Sequence, residues 1–351
     1  MRGVPLEHPS EVARACEIVY DLRGMRHRIA SLIPSATEIV CALGARSELV
    51  GVSHECDYPP DVLALPKLTR ARISPSQSRS SAIDRSIREL LESALSVYEI
   101  DTELLARLDP DVIVTQDLCD VCAVSRREVE AAAAGLTGHP VTVVNHRPAR
   151  LADLWQDIRT TAAAIGLEPA GEELVAQLRS EIERVRARAI TLLGINRPHG
   201  PPPKVVAIEW LDPVMLGGLW MPELIEVAGG ECLGTAAGER ARAWTRAELA
   251  RLEPEVVLVK PCGYPLARTL AELELLPQVL PWDRWPAAAT GRVFAADGNA
   301  YFNRPGPRLI DSAAILAACL HPEVRSAVLD RYPGAVARID LDLTVHALPN
   351  D

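Results

Sequence analysis

Residues 106–114, ARLDPDVIV, return almost unchanged at 250–258 as ARLEPEVVL. Aligning Leu108 with Leu252 sets Pro110 on Pro254, Asp111 on Glu255 and Val112 on Val256. Each copy reads as a helix end, an acidic-Pro-acidic turn and a buried strand. The residue before a proline is pushed out of helical backbone, and a β-branched run suits a sheet covered on both faces. A repeat of this kind points to two similar α/β lobes; the alternative is two short segments that converge on one common turn.

The rest of the pattern agrees. Apolar runs that read as strands are RIASL (28–32), LVGVS (49–53), VIVT (112–115) and VTVV (141–144), then KVVAI (204–208), VVLVK (256–260) and RVFA (292–295), with helical patterns between them. Ser35 or Thr37 can cap a helix over Glu38–Leu43 that Gly44 ends. From Leu151 to Leu193 the pattern is purely helical; it breaks at 166–169 and resumes as a long Glu/Arg-rich helix from Ala170. NRPHGPPP (196–203) then stops it. These features predict an α/β fold of two Rossmann-like lobes with parallel sheets, joined by a long backbone helix, with a ligand cleft between the lobes. The layout is an N-terminal extension (1–27, with a short amphipathic helix over 10–24), an N-terminal lobe (28–150), linking helices (151–195), a C-terminal lobe (203–326) and a tail (327–351). In the tail, the alternating ARIDLDLTVHAL either adds a strand or leaves the body.

Composition narrows the function. Of 351 residues 48% are hydrophobic and 24% charged, as in an ordinary globular protein. The net charge of −10, with no basic run, argues against nucleic acid as a partner. No stretch reaches the roughly 18 apolar residues that span a bilayer. The opening MRGVPLEHPSEVARACEIVYDLRG carries charges throughout and has no apolar signal region. A cytoplasmic location is therefore expected, with the eight cysteines present as thiols or metal ligands rather than disulfides.

In open parallel sheets ligands bind beyond the carboxyl ends of the strands. The loops there are IPSATE (33–38), HECDYP (54–59) and QDLCDVC (116–122) in the first lobe, and EWLDPVMLGGLW (209–220), PCGYP (261–265) and DGNAYFNRPGP (297–307) in the second. They hold Cys56, Cys119, Cys122 and Cys262, and also Tyr58, Trp210, Trp220, Tyr264 and Tyr301. Cys119 and Cys122 have the CxxC spacing at which two thiolates reach one metal. With Cys56, Cys262 and His54 they could hold Zn²⁺ or an Fe–S cluster; the alternative is that they are small buried hydrophobes or, for His54, a backbone-bonded side chain. Cys16, Cys41, Cys232 and Cys319 stand in Ala/Leu-rich helical surroundings and read as core. Trp210 and Trp220 are either platforms for a flat ligand or seals of the second lobe. Arg304 in NRPGP either meets an anionic group or is structural. No P-loop, GxSxG or HExxH pattern stands in a strand–turn–helix setting.

RIASLIPSATEIVCALGARSELVGVSHECDYP (28–59) resembles the opening of the class III substrate-binding proteins of ABC importers, the iron-chelate and cobalamin-binding family. WLDPVMLGGLWMPELIEVAGG (210–230) and GRVFAADGNAYFNRPGPRLIDSAAILAACLHPE (291–323) resemble their second lobe. The resemblance implies a ligand clamped between two lobes that move little. Within its cobalamin-binding branch, aromatic and polar residues of both lobes grip the corrin, and Tyr58, Trp210 and Trp220 stand at comparable places. The chain departs from the family in its opening, which lacks a secretion signal, and in the thiols of its cleft loops. The expected function is a cytosolic binding protein for cobalamin or a related metal chelate, with Tyr58, Trp210, Trp220, Tyr264, Tyr301 and Arg304 as ligand contacts. The second reading is an enzyme or redox protein using an Fe–S cluster or zinc held by Cys56, Cys119, Cys122, Cys262 and His54. The third is a regulatory interaction module.

Overall fold

The structure, a computed structural model, describes residues 27–72, 79–92, 97–117, 126–135, 139–198 and 200–348. The first lobe is built on four parallel strands, β1 (Ile29–Ser31), β2 (Leu49–Val52), β5 (Val112–Gln116) and β6 (Thr142–His146), in the order β2-β1-β5-β6. Beside it, β3 (Thr69–Ala71) and β4 (Tyr98–Ile100) form an antiparallel pair that the sequence did not announce. In the second lobe β7 (Lys204–Leu211), β10 (Val256–Val259) and β11 (Val293–Ala296) run parallel in the order β7-β10-β11.

Strand β7 continues past the expected end at Ile208 to Leu211 and folds back through Asp212-Pro213 into β8 (Val214–Leu216). Trp210 thus lies on a strand opposite Met215 rather than in a loop. The reason is local: apolar residues flank an Asp-Pro turn. The first residues of β7 pair with β9 (Glu231–Cys232). At the other edge the alternating tail does add to the sheet: β12 (Val336–Ile339) is antiparallel to β11, and β13 (Val345–Ala347) to β12.

The repeated segment occupies equivalent places. Strands β5 and β10 are the central neighbours of β1 and β7. Ahead of each, the acidic residue that follows the proline secures the start of that neighbour. The amide of Arg28 donates to Asp111 Oδ2 at 2.7 Å, and that of Lys204 to Glu255 Oε1 at 3.3 Å. In return the amides of Asp111 and Glu255 each donate to the Arg28 and Lys204 carbonyls at 2.8 Å. Asp and Glu at this position perform the same task in both lobes.

Helix Leu151–Ala164 leaves the first sheet and turns at Gly166 (φ +69°) into helix Glu168–Asn196, about 43 Å long at 1.5 Å per residue. Its buried stripe is Gly171, Val175, Leu178, Ile182 and Ala189. Gly171 is needed for the close crossing, since a Cβ there would lie 2.6 Å from Ala162 Cβ. Helices Met221–Val227 and Leu309–Leu320 of the second lobe pack on the same long helix. One apolar core therefore runs from Val112, Val144 and Leu154 through Val175 and Leu178 to Val205, Phe294 and Leu316. The lobes share a core and are not independent beads.

Candidate functional site

The carboxyl ends of β5 and β6 face the second lobe across a pocket of about 300 Å³. Asp117, Arg147 and Ala149 supply one wall, immediately after those strands; Leu219, Gly238 and Arg240 supply the other. The second wall is held by backbone. Leu219 N–H donates to the Glu239 carbonyl at 2.6 Å, and Gly238 N–H to the Leu219 carbonyl at 2.9 Å. Gly218 allows this approach, because a Cβ would come within 2.2 Å of the Glu239 carbonyl oxygen. Leu219 is left at φ +53°, a left-handed geometry that costs a non-glycine residue roughly 1–2 kcal/mol. Arg147 is ion-paired with Asp117, whereas Arg240 forms no ion pair among the described residues. Two guanidinium groups on opposite walls suit a ligand with anionic or carbonyl groups at its edge.

The lobes are also tied by charge. Glu38, buried in helix Pro34–Ala42, accepts from Arg308 Nε at 3.0 Å and Nη2 at 2.6 Å, and lies 3.6 Å from Arg304. Arg304, also buried, donates to both oxygens of Asp57 and to Asn299 Oδ1 at 2.9 Å, while Asn299 Nδ2 donates to Asp57 Oδ2 at 3.0 Å. Burial pushes the Glu38 carboxyl up, against the pull of Arg308 and Arg304. Burial acts the same way on Asp57, but the Arg304 pairing and the Asn299 bond outweigh it and hold that carboxyl below its ordinary value. Each pair joins the first lobe to the second.

Of the aromatic and cationic residues singled out in the sequence, Tyr58, Tyr301 and Arg304 are brought together here. Arg308 stacks over the Tyr58 ring at 4.2 Å and lies 5.8 Å from that of Tyr301; Tyr58 is 45% exposed. Arg304 serves as the interlobe tie just described. Trp210 and Tyr264 meet edge to face at 5.4 Å at the ends of β7 and β10. Trp210 is partly buried, with its indole N–H on the Asp212 carbonyl at 3.2 Å. Tyr264 is buried, and its hydroxyl lies between Glu272 and Arg268. Trp220 sits in the core at 6% exposure, and its indole N–H donates to the Phe302 carbonyl at 2.8 Å.

The thiols are dispersed. Cys56 is buried 3.1 Å from Thr37 Oγ1, and burial pushes its thiol up to about 11. Cys262 is exposed after β10. His54 bonds Thr69 Oγ1 at 2.7 Å and abuts the Tyr98 ring; burial lowers its pKa. Among the described residues no group of three or more His, Cys, Asp or Glu side chains is placed to hold a metal. Cys119 and Cys122, like Cys16 and the helix expected over 10–24, lie outside the described residues.

Sequence reasoning missed Glu38, Arg308, Arg147 and Arg240 as site residues. Glu38 and Arg308 are 270 positions apart, and a single sequence carries no signal that pairs them. Arg147 and Arg240 could have been found by extending the list of strand-end loops to the one after β6 and to the segment beyond Leu233.

A family model described as periplasmic binding protein matches residues 29–300. A periplasmic heme-binding protein from Pseudomonas aeruginosa superposes with a TM-score of 0.63 at 20% identity, covering 85% of this chain and 94% of that one. The heme-binding protein RhuT of Roseiflexus sp. RS-1 gives 0.62 at 23% identity, covering 85% and 99%. The vitamin B12-binding protein BtuF of Vibrio cholerae gives 0.58 at 18%, covering 84% and 96%. Comparison with curated proteins gives no match.

Proposed function

The chain belongs to the periplasmic binding protein family, and we propose that it binds a metal chelate between its lobes, a tetrapyrrole with cobalamin as the specific candidate. The observation that carries this reading is the pocket walled by both lobes, with Arg147 on one side and Arg240 on the other. Its volume of about 300 Å³ lies at the low end of small-molecule sites, enough for one edge of a macrocycle. The arginines would meet carbonyl, carboxylate or phosphate groups on that edge. Trp210, partly exposed at the end of β7, is the aromatic surface we assign to the ring face. Structural relatives described as binding heme and vitamin B12 support the ligand class.

The shared core and the charged ties between lobes favour a preformed site. Binding would then need little lobe closure, and the ligand would meet groups already in place. Visible-absorbance titration of the protein with aquocobalamin, and separately with hemin, tests the reading. Saturable 1:1 binding of one of them, weakened in Arg240→Ala, is expected. No spectral change with either ligand would overturn it.

A further inference from the structure

The long helix joins the lobes along one face of the molecule. Val112 and Val114 of β5 and Val256 and Leu258 of β10 share its core. Side chains alternate along a strand, so Ile113 on β5 and Val257 and Val259 on β10 point the other way. They belong to two separate cores, one in each lobe. On this second face an arm of the first lobe makes the crossing. Between β3 and β4, whose Tyr98 and Ile100 pack on the core of Ile113, the chain carries helix Ser80–Glu92. That helix reaches the second lobe and packs on β7.

Its anchor is a single carboxylate. Ser80, the first residue of the helix, is fully buried, and its amide donates to both Glu272 oxygens at 3.2 Å. Glu272 follows helix Leu266–Ala271, whose Leu266 and Leu270 pack on the core of Val257 and Val259. A carboxylate at this end of a helix meets free amides and the positive end of the dipole. Glu272 also accepts from the Tyr264 hydroxyl at 3.3 Å, and Tyr264 meets Trp210 edge to face. One ring thus separates the anchor from the aromatic surface assigned to the ligand.

The contact is built to open. Ser80 Oγ on the arm and Thr269 Oγ1, one turn before Glu272, are both buried without a hydrogen bond. Docking strips these hydroxyls of water and gives them no partner; undocking rehydrates them. The lobes, by contrast, are held by their shared core and by the Arg304–Asp57 and Arg308–Glu38 ties. A ligand that enters between fixed lobes needs some other element to yield.

Building on the chelate-binding reading above, we propose that helix Ser80–Glu92 is a strap across the face of the cleft turned away from the long helix, latched by Ser80 on Glu272, and that it lifts to admit the chelate and closes over it. Ser80 and Glu272 are positioning residues: they hold the strap and set how fast the ligand enters and leaves.

Ser80→Pro removes the donor at a position where a helix tolerates proline, and Glu272→Ala removes the acceptor. Stopped-flow absorbance with aquocobalamin, and separately with hemin, reads the consequence. Each variant is expected to release the bound chelate at least about tenfold faster than wild type, as loss of a charge-assisted hydrogen bond implies, and to take it up faster as well. The double variant should go no further than either single one, since both break the same latch. Wild-type rates in both variants would overturn the strap while the chelate reading stands; lowered thermal stability with unchanged rates is what a merely structural contact gives. Hydrogen exchange of the unliganded protein supplies a readout that needs no ligand. In Glu272→Ala, residues 80–92 should exchange at least about tenfold faster, with residues 168–196 unchanged. If neither chelate binds, the chelate reading fails and this exchange alone decides the latch: equal exchange in Glu272→Ala and wild type overturns it.

Discussion

Arg304, on the loop after β11, reaches Asp57, on the loop after β2, so that a buried guanidinium of the second lobe is neutralised by a carboxylate of the first. The neighbouring Arg308–Glu38 pair repeats the arrangement. Both join the first lobe to the second, and both reduce the freedom of the lobes to separate.

Removing one member of this cluster should be expensive, because it leaves buried charge uncompensated. Glu38→Ala strands Arg308 at 13% side-chain exposure, while Arg304 keeps its pairing with Asp57. A loss of about 3–5 kcal/mol is expected, read from the urea midpoint at constant slope. A loss under about 1 kcal/mol would show that the pairs contribute no more than surface ion pairs do.

Asp157 gives the protein a pH dependence of definite sign. Burial raises its carboxyl from 3.8 to about 7, against the Arg147 backbone bond. The folded state holds the proton more tightly than the unfolded chain, so this stabilising contribution is complete below pH 3.8 and lost as pH rises toward 7. At about 1.4 kcal/mol per pKa unit, the loss is on the order of 4 kcal/mol at most. Asp157→Asn should therefore be more stable than wild type at pH 8 and gain nothing at pH 4, measured by thermal unfolding at both.

The cysteines should differ sharply in reactivity. Burial pushes Cys56 up to about 11, and Cys41 and Cys319 up to about 12, whereas Cys262 is exposed. Since the thiolate is the nucleophile, iodoacetamide at pH 7.5 should label Cys262 well before these three. Peptide mass spectrometry over a time course would show it; early labelling of Cys56 would contradict its placement against Thr37.

In the pocket, Arg147→Ala and Arg240→Ala should each weaken the bound chelate by about tenfold, the range for a charge-assisted hydrogen bond. Arg147 is shared with Asp117 and Arg240 has no such competitor among the described residues, so the larger effect is expected at Arg240. Calorimetry at two salt concentrations would separate the charge contribution, which falls with salt.

Much of the fold was legible. The parallel strands appear where Val- and Ile-rich runs stood, and the ARLDPDVIV and ARLEPEVVL segments lead into equivalent central strands. Their likeness proves physical, since Asp111 and Glu255 secure the neighbouring strand in the same way. Less of the site could be read. Trp220 and Tyr264 stand at strand ends, as a ligand contact would, yet both are buried, with bonds to Phe302 and Glu272. Periodicity identifies where a strand stops, but not whether the next aromatic turns inward. The ties from Glu38 to Arg308 and from Asp57 to Arg304 join residues that only the folded chain brings together.

The proposed chelate is held by both lobes at once. Amide hydrogen exchange with and without saturating cobalamin tests it most directly, reading residues 147–149 against 217–220 and 238–240. Slowed exchange on both walls in the same titration, at the same ligand concentration, is expected. Protection confined to one lobe, or none at either wall, would contradict it.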